Sequence, residues 1–197
     1  MQYRLNAMDL DGTLNNDEKW ITPRTKQALM RSQEAGIRLV LASARPSPGL
    51  FKERDALDLQ GHGGILMSYN GGRIVDAATG KVLFETAMEL PQAKEILRQL
   101  KALPVTPILD DGTQFYVEIL PASINKGQGL LQICKLLDIP AEETVAFGDA
   151  ENDIPMLKAA GLGVAMENAT EATKAAADRV TLSNNCDGIA AVVETFL

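Results

Sequence analysis

Two aspartates separated by one leucine, Asp9 and Asp11, close the apolar lead-in of the chain, in NAMDLDGTLNND at residues 6–17. Further on stand Ser43 after IRLVLA, Lys126 in ASINKGQGL, and Asp149, Asn152 and Asp153 in FGDAENDIPML. Three carboxylates drawn together repel one another unless a cation joins them. Oxygen ligands of this kind suit Mg2+. A Mg2+ site with a lysine and a hydroxyl beside it is a phosphate site: metal and lysine neutralise the phosphoryl oxygens, while Ser and backbone N–H groups hydrogen-bond them. One of Asp9 and Asp11 can then attack phosphorus and form an aspartyl phosphate. The other can pass a proton to the leaving group and later take one from water. Gly12 and Thr13 are expected to turn the chain away so that both carboxylates face one cleft.

These residues need elements to bring them together, and the pattern supplies them. Short apolar runs alternate with helical stretches. YRLNAMD, IRLVLAS, GILMSYN, TVAFGD, GLGVAM and DRVTL read as strands. TPRTKQALMRSQEAG reads as a helix, with Thr22 as N-cap, Pro23 at the first helical position and Gly36 closing it. KGQGLLQICKLLD places Leu130, Ile133, Cys134 and Leu137 on one face. NDIPMLKAAG, ATEATKAAA and DGIAAVVETFL are further helices. Such alternation means a doubly wound, mostly parallel sheet with helices on both faces, an α/β fold. In such sheets ligands sit at the carboxyl ends of the strands. Asp9, Asp11, Ser43 and Asp149 all fall there.

The middle of the chain breaks the rhythm. GGRIVDAATGKVLFE reads as a hairpin turning near Thr79-Gly80. PQAKEILRQLKAL reads as an amphipathic helix with Ile96, Leu97, Leu100 and Leu103 inward, and VTPILDDGTQFYVEIL as a second hairpin turning at Asp111-Gly112. Residues 77–121 therefore read as a small α+β module inserted between core stretches 1–76 and 122–197.

The 197 residues suffice for one good core with a small appended domain. A formal charge of −7 argues against a nucleic-acid binder, which would carry a basic face. An anionic substrate must then be met by local cations or a metal. No apolar run approaches the roughly 18 residues needed to span a bilayer. Cys134 and Cys186 lack metal-ligand spacing and suggest no disulfide framework. With no room for a signal peptide before the first strand, the expected location is the cytoplasm, away from any membrane.

Taken together, the motifs resemble those of the haloacid dehalogenase (HAD) superfamily phosphatases, in the Cof-like branch whose cap is inserted late. DLDGTL resembles the first motif of that superfamily. The resemblance implies Asp9 as nucleophile and metal ligand, Asp11 as general acid/base and metal ligand through its backbone carbonyl, and Thr13 as a support for that loop. LASARP resembles the second motif, with Ser43 on the phosphate, and Lys126 resembles the third. FGDAENDIPML resembles the fourth: Asp149 as metal ligand, Asn152 near the phosphate, Asp153 as support for the metal. The implied function is a Mg2+-dependent phosphatase acting on small phosphorylated metabolites such as sugar phosphates. The insertion between Ser43 and Lys126 marks the α+β cap class, IIB. The cap looks shorter than in relatives, because GTQFYV passes directly to EILPASINKG. A short lid is expected to admit larger substrates, or to leave apolar surface that a second copy covers.

Several residues have plainer readings. His62 in LQGHGGI is a loop residue that the mechanism does not need. Arg45 either reaches the substrate or cap or forms a structural salt bridge. Trp20 lies in the stretch after the first motif, which in the superfamily forms a turn and flap beside the active site, so it either touches a substrate or, the preferred reading, packs; Asn168 in MENAT either approaches the phosphate or, more simply, caps the helix starting near Thr170. Competing functions are a phosphomutase, disfavoured by a short lid that admits water, a receiver-like domain that holds a phosphoryl group as a signal, and a phosphate-binding module without turnover. Asp11 and the inserted cap argue against the receiver.

Overall fold

A computed structural model describes residues 2–100 and 124–197. Its centre is an eight-stranded sheet in the order β5-β4-β3-β2-β1-β6-β7-β8. β1 (Leu5–Met8) pairs in parallel with β2 (Arg38–Ala42) on one side and with β6 (Thr144–Gly148) on the other. β3 (Ile65–Ser68), β7 (Leu162–Ala165) and β8 (Arg179–Val180) extend the parallel set. The chain order reverses at β1, so the carboxyl ends of β1, β2 and β6 border the crevice where such sheets take ligands.

Strands buried on both faces read as continuous apolar runs, and alternate residues must enter opposite cores. In β2, Leu39 and Leu41 enter one core and Val40 and Ala42 the other. In β6, Val145 and Phe147 oppose Ala146 in the same way. The first core is closed by α1 (Pro23–Glu34) and α7 (Gly188–Val193), which contribute Ala28, Leu29, Ile189 and Val193. The second is closed by α4 (Lys126–Leu137) and α5 (Ile154–Ala159), which contribute Leu130, Ile133, Cys134, Met156 and Leu157. Each fully buried Leu or Ile in these layers contributes about 1.5–3 kcal/mol.

Local signals set most of the ends. α1 begins with Pro23 at its first position, as expected, and Gly36 follows its end at φ +89°. Thr22 stands at the N-cap position, but its hydroxyl donates to Asp187 and makes no capping bond. α6 (Glu171–Ala176) is capped by the side chain of Thr170, not by Asn168. α2 (Phe51–Ala56) follows β2 after a single turn.

The hairpin predicted after GILMSYN is present. β4 (Arg73–Asp76) and β5 (Val82–Glu85) run antiparallel, and the Asp76 carboxylate accepts the Thr79 amide and hydroxyl in the turn. Its placement differs from the sequence expectation. β4 pairs antiparallel with β3, so β5 is the edge strand of the core sheet and no part of a separate module. The chain leaves the sheet only after Glu85, into α3 (Leu90–Leu100), where Ile96 and Leu97 are half-buried. The second hairpin expected at Asp111-Gly112 lies outside the described residues, as do Leu103 and the side chain of Leu100.

Candidate active site

Asp9 follows directly on β1, where the strand's last hydrogen bonds still hold its backbone: its amide donates to the Phe147 carbonyl at 3.1 Å. The loop then reverses, with the Leu14 amide donating back to the Asp9 carbonyl. Gly12 makes that reversal at φ +84°. A Cβ there would lie 2.4 Å from Asp149 Oδ2, so any side chain would be strained and would have to displace that carboxylate. The loop is thereby pressed against β6, and Thr13 Oγ1 donates to Asp149 Oδ1 at 2.7 Å.

Lys126, at the first position of α4, is fully buried. Its ammonium donates to Asp9 Oδ1 at 2.5 Å and to Asp153 Oδ1 at 2.6 Å. Asp153 Oδ2 accepts the amides of Asp149 and Ala150 at 3.0 and 3.1 Å. Both oxygens of Asp153 are therefore engaged, and the residue ties the β6 loop to the lysine. Carboxylate oxygens of Asp9, Asp149 and Asp153 lie within 4.8 Å of one another.

One buried ammonium does not balance three acids. Burial pushes the Asp9 carboxyl up to about 7, against the pull of Lys126 and with a further push from Asp153 and Asp149. Burial likewise raises Asp149, where the Thr13 hydroxyl works the other way. Burial alone would lower the Lys126 ammonium, but the charges of Asp9 and Asp153 outweigh it and hold it above the usual lysine range.

Asp11 sits in a second cluster. Arg45 grips its carboxylate with two bonds, Nε to Oδ2 at 2.9 Å and Nη2 to Oδ1 at 2.6 Å. Lys19 Nζ adds a third, to Oδ1 at 3.2 Å. Partial burial would raise this carboxyl, but Arg45 and then Lys19 outweigh it and bring it below the ordinary aspartate value. The two clusters are close enough for the Asp11 charge to act on Asp149. Of the two readings left open for Arg45, the structure supplies an ion pair, and it is to the second motif acid itself.

Ser43 is buried at the end of β2, with its hydroxyl accepting the Arg45 amide at 3.1 Å. Asn152 reaches across to the β3–β4 turn, donating from Nδ2 to Asn70 Oδ1 at 3.0 Å. The Asn70 amide in turn donates to the Ser43 carbonyl, which locks that turn to the β2 loop. Thus Asp9, Thr13, Lys126, Asp149 and Asp153 form one bonded network, with Asp11, Ser43 and Asn152 around it.

Two expectations need correction. Trp20 does not pack: it is 51% exposed on the turn after the first motif. Asn168 caps no helix. Its Nδ2 donates to the Gly12 carbonyl at 2.8 Å and its Oδ1 accepts the Asn184 amide at 3.0 Å, so it braces the Asp9–Thr13 loop. Asn184 Nδ2 also donates to the Asn15 carbonyl at 3.1 Å. Sequence reasoning missed both asparagines as loop braces, since partners 156 and 169 residues away leave no local signal. His62 bonds to the Asp58 carbonyl and stays out of these contacts.

The same architecture occurs in known proteins. Residues 6–111 and 106–193 match the family described as haloacid dehalogenase-like hydrolase. A phosphoglycolate phosphatase of Methanopyrus kandleri is 32% identical, over 96% of this chain and 95% of its own length. A 5-amino-6-(5-phospho-D-ribitylamino)uracil phosphatase of Bacillus subtilis is 26% identical, over all of this chain and 97% of its own length. That alignment runs to 248 positions against 197 residues here, a difference of 51. The crystal structure of a haloacid dehalogenase-like hydrolase from Bacteroides thetaiotaomicron superposes with a TM-score of 0.83 at 29% identity, over 99% of this chain and 100% of that one. Among the described residues no helix is long and apolar enough to cross a membrane.

Proposed function

The chain belongs to the haloacid dehalogenase-like hydrolases and is a phosphoric monoester hydrolase; from that premise we propose a Mg2+-dependent phosphatase of small phosphorylated metabolites that works through an aspartyl phosphate on Asp9. The observation that carries this reading is the meeting of Asp9, Asp149 and Asp153 within 4.8 Å beside the buried Lys126.

The donor set fits a hard divalent cation. It offers carboxylate oxygens only, and burial, helped by the neighbouring acids, raises the Asp9 and Asp149 carboxyls above the ordinary aspartate range. Asp9, Asp149 and the backbone carbonyl of Asp11 would hold Mg2+, while Asp153 positions Lys126 and the β6 loop. Bound there, the ion supplies charge neutralisation at the phosphoryl oxygens.

The chain's own groups do the rest. Lys126 occupies Asp9 Oδ1, so attack on phosphorus falls to Oδ2. The Oδ2–P bond forms and the P–O bond to the ester oxygen breaks. That oxygen takes a proton from the Asp11 carboxyl. Water then attacks phosphorus and gives its proton to the Asp11 carboxylate. The P–O bond to Asp9 breaks, the electron pair returns to the carboxylate, and inorganic phosphate leaves. Ser43, Asn152 and Lys126 hold the phosphoryl oxygens through both steps.

The same reading assigns the segment after β5, up to about residue 121, to a shortened cap over the site. The two family-matched stretches overlap at 106–111, inside that segment.

Hydrolysis of an aryl phosphate, with Mg2+ and with chelator, tests the assignment in wild type and Asp9→Asn. Many turnovers are expected for wild type with Mg2+, and none with chelator or in the variant. Turnover that persists in folded Asp9→Asn would remove the covalent step.

A further inference from the structure

The turn at residues 16–20 stands beside Asp11 and is held unusually firmly for an exposed loop. The Asn16 amide donates to the Trp20 carbonyl and the Lys19 amide to the Asn16 carbonyl, both at 2.9 Å. Asp17 is tied to the far end of the chain, its amide donating to Asn185 Oδ1 and its carboxylate accepting Asn184 Nδ2 and Asn185 Nδ2 at 3.1 and 2.9 Å. Lys19 is held in the left-handed region at φ +63°. A non-glycine residue stays in that region only where its surroundings fix it, and such strain gathers at ligand-binding positions.

What this rigid turn presents is a half-exposed indole and, with Arg45 and Lys52 beside it, three cations. Arg45 already matches Asp11 with two bonds. Lys19 brings a second cation to the same carboxylate, with its side chain 63% exposed. Lys52, on α2, donates to the Lys19 carbonyl, an acceptor without formal charge. Glu18, the turn's remaining acid, forms no ion pair with these cations among the described residues. A chain of net charge −7 thus sets two cations on Asp11 and a third, Lys52, on the adjoining Lys19 carbonyl. Packing gains nothing from this arrangement, whereas an anion arriving beside Asp11 would.

We propose that Lys19, Lys52 and Trp20 form a substrate-reading subsite that selects phosphomonoesters carrying a second anionic group close to the ester, a carboxylate or a second phosphate. The two ammonium groups take the second anion, and the indole face covers the carbon link between the two anions. This rests on the phosphatase reading above. It also accounts for how a short cap can leave selectivity intact: the reading residues sit on the core, on a turn pinned to the C-terminal segment.

The test compares three esters with one two-carbon skeleton: ethyl phosphate, 2-phosphoglycolate, and the bisphosphate of ethylene glycol. In wild type with Mg2+, kcat/KM is expected to favour at least one of the two esters with a second anionic group over ethyl phosphate by roughly tenfold, the contribution of one part-exposed charged hydrogen bond. Lys52→Gln should collapse that ratio, and Lys52→Arg should restore it. A second readout is independent of turnover. Trp20 is the chain's single tryptophan, so its emission reports on this turn alone. In Asp9→Asn, the favoured ester should change the emission at a concentration about tenfold lower than ethyl phosphate does, and adding Lys52→Gln should erase the gap. Equal ratios in wild type and Lys52→Gln, or an emission indifferent to a saturating ester, would overturn the subsite while leaving the phosphatase standing. Absence of hydrolysis of all three esters and of an aryl phosphate by folded wild type would overturn both.

Discussion

Replacing Lys126 with methionine removes a cation buried between Asp9 and Asp153 while keeping most of the side-chain volume. Breaking one side of a buried pair leaves an uncompensated charge and costs about 3–5 kcal/mol. Here two carboxylates lose their partner. Asp9 responds by holding its proton, whereas Asp153 keeps its two backbone amide bonds. The net loss should therefore stay within that range, a fall of roughly 6–20 °C in Tm for a chain of this size. Its pH dependence follows from the sign of the Asp9 shift. Folded Asp9 titrates at about 7 against 3.8 ordinarily, so between those values the folded state binds a proton that the unfolded state does not, and stability falls as pH rises. Lys126 is the partner that pulls this value down, so without it the window extends above 7. Urea unfolding in chelator should thus show a larger loss at pH 7.5 than at pH 5. Adding Asp153→Asn, which keeps an oxygen for the two amides and removes the orphaned charge, should recover about half of the loss. A loss below about 1 kcal/mol at both pH values would show that Lys126 does not neutralise these acids, and the site's charge ledger would be wrong.

Other perturbations separate the site's parts. Arg45→Met frees Asp11 from the partner that lowers its carboxyl, so the acid limb of kcat for an activated aryl phosphate, where Asp11 must act as base, should move to higher pH; an unmoved limb would refute the assignment. Gly12→Ala puts a methyl group 2.4 Å from Asp149 Oδ2 at a positive φ, and should cost about 1–3 kcal/mol by thermal unfolding and abolish turnover. Asn168→Ala removes the brace on the Gly12 carbonyl and should lower kcat/KM several-fold while moving Tm by only a few degrees; an unchanged kcat/KM would show that the loop needs no brace.

Much of this was legible in the sequence because the signals are local. A strand buried on both faces must be apolar throughout, so TVAFG and RLVLA declare themselves, and the polar residues that follow them, Asp149 and Ser43, mark the ligand edge. Gly12 announces a turn. What escaped depends on distance along the chain. That β5 joins the core sheet is decided by pairing with β4 and not by its own residues. Trp20 reads as a packing residue by type, and only the turn that Asp17 pins to Asn184 and Asn185 holds it outward. Arg45 and Asp11 are 34 residues apart, so their pairing awaits the fold.

The two motif acids lie in opposite environments, and taken alone these would assign them the wrong way round. Asp9 is raised to about 7 and Asp11 is lowered, which would suit Asp9 as proton donor and Asp11 as nucleophile. A bound divalent cation inverts this logic, because it adds the positive charge that Lys126 alone does not supply. Binding the ion must then expel the Asp9 proton, and affinity must rise with pH. With Asp9 titrating at about 7, roughly one molecule in eleven is ionised at pH 6 and ten in eleven at pH 8, so the apparent Kd for Mg2+ should tighten about tenfold between them. Calorimetry at pH 6 and 8, in two buffers of different ionisation enthalpy, measures the affinity and the released proton together. Equal affinities with no proton released would mean that Asp9 is ionised before the metal arrives, and that the lysine suffices for the nucleophile.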